Sequence, residues 1–140
     1  MAITLTWCKN NKGVYWFCTG DVTYDEIEQT DKQQYSDNRF DDAEYVLINL
    51  LSADRLILTE LEITMDVTHD SINSYSNENL NVLFVAEKPE LQEIGHIYAE
   101  QFKQKYMDWD VQVFGDLPSA KRWLCDKSVN IDIADLHYIE

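Results

Sequence analysis

Glycine is scarce in this chain, with four in 140 residues, and the loops that depend on it are missing. Neither G-x-G-x-x-G nor the P-loop pattern occurs, so no glycine-rich turn is present to cradle nucleotide phosphates. A G-x-S-x-G nucleophile elbow is missing too. Basic residues are also few: 11 Lys and Arg stand against 26 Asp and Glu, a formal net charge of −15. Such a field repels phosphate backbones and anionic headgroups, which argues against nucleic acid and membrane surfaces as partners. Solubility or a salty habitat accounts for the acidity first, and a basic protein partner second. No apolar run approaches the roughly 18 to 20 residues that span a bilayer. The opening Met1-Ala2-Ile3-Thr4 lacks the basic and apolar regions of a signal peptide, so the expected location is cytoplasmic. The three cysteines, Cys8, Cys18 and Cys125, show neither CxxC nor Cys/His metal spacing and are expected to be thiols.

What is present is core material: 45% hydrophobic and 12% aromatic residues, enough for one domain of this length. Asn10-Asn11-Lys12-Gly13 separates two alternating runs and predicts a hairpin. With Asn11 and Lys12 as its loop, Trp7 lies opposite Trp16 and Leu5 opposite Cys18. Ile3, Leu5, Trp7, Val14, Trp16 and Cys18 then share one face, and Cys8 points to the other. Gly20-Asp21-Val22-Thr23 reads as a break, and Thr23 with Glu26 as a capping box opening a polar helix to about Tyr35. Tyr45 to Leu51 and Leu80 to Ala86 are nearly continuously apolar, as strands covered on both faces are. Asp110 to Phe114 alternates and suits an edge. Helices are expected over Thr59 to Tyr75, Pro89 to Tyr106 and Pro118 to Asp126. The fold class is therefore α/β, a single mixed, mostly parallel sheet with an N-terminal antiparallel hairpin and about four helices. Residues 1–128 form the domain, and 129–140 an acidic C-terminal arm with apolar Ile131, Ile133 and Leu136.

This order of elements, with Gly20-Asp21-Val22-Thr23 opening the first helix and Phe114-Gly115-Asp116, Ala120 and Trp123-Leu124 closing the last unit, resembles the STAS superfamily. It looks nearest to the small stand-alone bacterial members, SpoIIAA-like proteins of mostly unassigned function. The likeness runs from about Gly13 to Leu124. It implies a protein-interaction or regulatory domain, and, because related folds hold lipids, alternatively a binder of small apolar ligands. Anti-sigma-factor antagonists of the superfamily carry a phosphorylatable serine within an Asp-Ser-Ser-Gly-like run, and that run falls on Ile57, Leu58, Thr59 and Glu60 here. Thr59 is the only hydroxyl among them, and the flanking Asp and Gly are absent. Thr59 with Glu62 reads first as a capping box.

Open parallel sheets place ligands beyond the carboxyl ends of their strands, so the binding candidates are Ser52, Asp54, Thr59, Glu87 and Lys88. The alternative apolar pocket is assigned to Leu56, Leu58, Met65 and Tyr98. Asp66-x-x-His69 and Glu93-x-x-His96 have the spacing of di-iron ligands, but those occupy four-helix bundles, and in so acidic a chain both read as solvated helix faces. Asp41-Asp42-Ala43-Glu44 and Asn130-Ile131-Asp132 lack EF-hand spacing. No catalytic residue, metal ligand or cofactor is assigned. The partner is a protein or a small apolar ligand. A second copy is also expected, as a salt-strengthened homodimer, because central strands apolar on both faces need cover on the side that the crossover helices leave open.

Overall fold

The computed structural model describes residues 2–8, 11–105 and 108–127. Five strands form one sheet in chain order: β1 (Ile3–Trp7), β2 (Gly13–Thr23), β3 (Tyr45–Ile57), β4 (Asn81–Val85) and β5 (Asp110–Phe114). β1 and β2 are antiparallel and the remaining pairs parallel. The helices are α1 (Tyr24–Tyr35), α2 (Glu60–Asn73), α3 (Pro89–Gln104) and α4 (Leu117–Asp126). Sequential parallel strands joined by right-handed crossovers stack their helices on one face, and α1, α2 and α3 pack there with Val14, Trp16, Val46, Val82 and Phe84. Among the described residues, no helix is long and apolar enough to cross a membrane.

Both expected capping boxes form, Thr23 with Glu26 and Thr59 with Glu62, and Pro89 occupies the first turn of α3. β4 is buried along its whole length, whereas β5 is half-exposed at the edge. The hairpin faces are as expected, but its register is not. Trp7 pairs with Val14, Leu5 with Trp16 and Ile3 with Cys18. The connection is longer than two residues, because the Cys8 N–H donates to the Gly13 carbonyl at 2.9 Å and Asn11 turns the chain at φ 60°. An even shift keeps every side chain on its side of the sheet, so Cys18 still faces α1 to α3 and Cys8 the opposite layer. The three cysteines are thiols.

Gly20 to Thr23 are strand and not a break, and Ser52 to Ile57 are strand too, although the apolar run ends at Leu51. They continue β2 and β3 as a two-stranded ribbon beyond the last β3–β4 pair, Asn49 with Val85. Register shifts between Phe17 and Thr19 and between Gly20 and Asp21 bend it, with Gly20 at φ 63°. The bend turns Val22, Ala53 and Leu56 onto the layer under the helices.

The opposite face is covered within the chain. Leu117, Ala120 and Leu124 of α4 pack with Leu47, Leu83, Val85 and Tyr45. Tyr15 and Tyr45 join their hydroxyls at 3.0 Å, and the Tyr45 ring fills the space that a side chain at residue 13 would need. The expected arm, 129–140, lies outside the described residues.

Candidate functional site

Helix α1 is polar by composition, yet Tyr24, Thr30, Asp31 and Gln34 are buried along it. On α2 the buried positions are Ile63, Val67, Asp70 and Ser71, with Asp66 half-buried beside them, while Leu61, Met65 and Ile72 stand 69%, 41% and 62% exposed. The two helices therefore turn aspartates inward and aliphatic residues outward. Asp31, Asp66 and Asp70 meet where α1 and α2 face each other, each offering a carboxylate oxygen within 4.8 Å of the others. Tyr35 donates to Asp70 Oδ1 and Tyr98 to Oδ2, both at 2.5 Å. Asp31 Oδ2 is buried and meets no donor from outside the carboxylate cluster.

An aromatic ladder holds the two phenols. Tyr35 packs edge-on against Phe40, Phe40 against Trp109, Trp109 stacks on Phe102, and Phe102 on Tyr98, with centroids 4.8 to 6.2 Å apart. Trp109 donates to the Asn77 carbonyl at 2.6 Å, and the Asn77 amide donates to the carbonyls of Phe40 and Ala43. The ladder thereby ties α1 (Tyr35), the 3-10 turn after it (Phe40), the approach to β5 (Trp109) and α3 (Phe102 and Tyr98) together.

Burial shapes the electrostatics. It pushes Asp70 well above the usual carboxylate range, Asp66 adds to that, and the two phenol hydrogen bonds oppose it. Asp31 is raised by burial and then by the charges of Asp70 and Asp66. Asp66 is raised by burial, offset by a hydrogen bond with Asp31 and by His69. Tyr35 and Tyr98 are pushed up by burial and by Asp70, so both remain neutral donors.

The cluster forms one wall of an internal chamber of about 60 Å³ between the sheet and α1 to α3. The remaining walls are mainly apolar, including Val22, Ile48, Leu50, Leu56, Leu58, Ile63 and Ile94. Leu56, Leu58 and Ile94 also line a groove of about 390 Å³ along the end of the ribbon, with Thr59, Glu62, Glu90 and Leu91.

Of the expected pocket residues, Leu56, Leu58 and Tyr98 line the chamber, and Met65 does not. The inward face of α2 is set by Ile63, Val67 and Asp70, and Met65 lies on the solvent side of that arc. Two of the strand-end candidates meet: Lys88 donates to the carbonyls of Ala53 and Asp54 at 3.2 and 3.3 Å and pairs with the Asp54 carboxylate at 3.8 Å. Ser52, Thr59 and Glu87 are exposed, Thr59 as the cap of α2. Glu93 and His96 are solvated, as expected. Asp66 and His69 are not simply a solvated face, because Asp66 belongs to the buried cluster. Asp31, Asp70 and Tyr35 were not singled out from the sequence. The available signals were a helix without an apolar stripe and Asp66-x-x-x-Asp70 in phase with Ile63 and Val67.

No family model matches the chain, and no curated protein matches it significantly. Among solved structures it is similar to an uncharacterized protein from the DUF3478 family with a SpoIIAA-like fold, from Shewanella loihica PV-4. The TM-score is 0.56 at 16% identity, covering 89% of this chain and 93% of that one. The chain thus has a SpoIIAA-like fold, and at this identity the likeness extends to the fold alone.

Proposed function

We propose that the chain is a non-enzymatic binding domain that takes a small, mainly apolar ligand into the chamber between the sheet and helices α1 to α3. The observation that carries this reading is the sharing of Leu56, Leu58 and Ile94 between chamber and groove. Cores normally fill their interior, and each unfilled volume costs stability. Here space remains under the helices, closed by Leu56 of the ribbon, Leu58 just after it and Ile94 of α3, at the carboxyl end of the sheet, where open sheets receive ligands. The chamber is smaller than the roughly 150 Å³ that accepts benzene in an engineered core. A ligand chain therefore enters by displacing Leu56 and Leu58 toward the groove.

A neutral naphthylamine fluorophore provides the test. Saturable binding at one site per chain is expected, and it should be lost in Leu58→Trp, whose ring fills the passage. Absence of saturable binding, or binding indifferent to Leu58→Trp, would overturn the reading.

A second reading, regulation through a protein partner, rests on a different observation. Leu61, Met65 and Ile72 form an exposed apolar stripe along α2, with Ile57 49% exposed beside its start. Such patches mark interaction surfaces, and this one starts beside Thr59, the cap of α2. Leu61→Glu leaves the fluorophore's site untouched, which separates the two readings.

A further inference from the structure

We infer that Asp31, Asp66 and Asp70 bind one hard divalent cation at the junction of α1 and α2. Oxygen ligands around a single ion with bonds of about 2.0 to 2.6 Å lie no farther apart than twice that length, roughly 4 to 5 Å. The three carboxylates present oxygens within 4.8 Å of one another. The donor set is all oxygen, which selects the class of Mg²⁺, Ca²⁺ and Mn²⁺ over thiolate- and imidazole-seeking metals.

Two further observations separate this cluster from ordinary surface acidity. The first is Asp31 Oδ2, which is buried on a residue that lines the chamber and meets no donor from outside the carboxylate cluster. A buried acceptor without such a donor is costly, and a cation between α1 and α2 supplies the missing interaction. The second is the support behind Asp70. Both of its oxygens are fixed by phenol donors, Tyr35 and Tyr98, themselves held by the aromatic ladder. Metal-binding carboxylates are oriented by outer hydrogen bonds in this manner. No Lys or Arg lines the chamber among the described residues, and His69 bears on Asp66 from the outer side of α2. Half-buried Asp66 gives a hydrated ion its way in. The adjoining 60 Å³ leaves room for the waters that complete a coordination shell, each needing about 10 to 15 Å³.

Chelator-stripped protein titrated with Mn²⁺, with Ca²⁺ and with the luminescent calcium substitute Tb³⁺ tests the site. One cation per chain should raise the melting temperature, and Tb³⁺ emission should be sensitised through tyrosine. Asp31→Asn and Asp70→Asn keep the side-chain shape and relieve repulsion, so both should fold in the stripped state yet lose tenfold or more in affinity. Tyr98→Phe leaves the three ligands in place and should weaken binding by about 10–100-fold. Protons compete for the same oxygens, so affinity should rise with pH. Leu58→Trp should leave cation binding intact, making the result independent of the apolar-ligand reading. A melting temperature unmoved by any of these cations would overturn the proposal. So would tyrosine-sensitised Tb³⁺ emission in Asp70→Asn equal to that of the native chain, because binding would then lie on the acidic surface.

Discussion

The two faces of the sheet are built to different rules. Beneath α4, Tyr15, Tyr45, Leu47, Leu83, Val85 and Leu124 are all essentially inaccessible, and the few polar atoms satisfy one another, as in the Tyr15–Tyr45 hydroxyl pair. Beneath α1 to α3 lie a chamber and three clustered aspartates, while aliphatic residues of α2 are left in solvent. Burial energy alone would have rotated α2 to bury Leu61 and Ile72. Departures from local consistency of this kind concentrate where function opposes stability. The α4 face teaches what this chain does when packing decides, and the other face shows what it keeps despite packing.

Core truncations should expose that difference most strongly. Leu47→Ala and Leu83→Ala, on the α4 side, open cavities in a filled layer and should each cost about 2–5 kcal/mol. Leu56→Ala removes a half-buried side chain that already borders empty space, and should cost less than about 2 kcal/mol. Urea midpoints of the three variants measure this. Equal losses would make the chamber an ordinary piece of core.

The fold was legible because the strands announce themselves by run length and alternation, and because crossovers of helical length permit few topologies. Parity is more robust than register, so the hairpin's faces were readable although its pairing was two residues off. The ribbon was hidden because Ser52 to Ile57 lacks the apolar run that marked the first part of β3, and a bulged, half-exposed strand has the composition of a loop. The aspartate cluster was the least legible part. α2 carries two competing stripes, Leu61-Met65-Ile72 and Ile63-Val67, and counting apolar residues favours the first. What decides is that Tyr35 and Tyr98, from α1 and α3, give Asp70 two donors, a fact of tertiary structure that single-helix periodicity does not contain.

The acids give the α1–α3 face a pH signature that the other face lacks. Carboxylates whose pKa is higher folded than unfolded bind more protons in the native state. Their stabilising contribution is complete below the unfolded value of about 4 and is lost as pH rises through the raised value. Asp31, Asp66 and Asp70 are all raised. The groups around them are Glu28 and Tyr24 from α1, His69 on α2, Tyr35, and Tyr98 from α3. Glu26, Asp37 and Asp116, lowered by hydrogen bonds, act in the opposite sense, adding stability above pH about 4 that acid removes. Stripped protein should therefore be most stable in mildly acidic solution and weaken toward neutrality, by denaturation midpoints taken across pH. Asp31→Asn should flatten the alkaline limb, and an unchanged limb would remove the buried acids as its cause.

Thiol labelling sharpens the comparison without altering stability. Cys125 is exposed at the end of α4, whereas Cys8 and Cys18 are each 1% exposed, on opposite faces. Burial, and then Glu26, push the Cys18 thiol up to about 12, so in the closed protein it offers almost no thiolate for attack. Cys18 nevertheless lines the chamber, and Cys8 packs in the filled layer with Tyr15 and Tyr45. Local openings draw on the least tightly packed regions and expose their residues at a free energy below that of global unfolding. Cys125 should label within the reagent's intrinsic time and Cys18 later, through opening of the ribbon and α1. Cys8 should label last, at the rate set by global unfolding. Mass spectrometry of a labelling time course resolves the order by peptide. If the apolar ligand or the cation closes the chamber, adding it should slow Cys18 and leave Cys8 unchanged. Labelling of Cys8 ahead of Cys18 would reverse the assignment, making the α4 side the looser face and the chamber a closed part of the core.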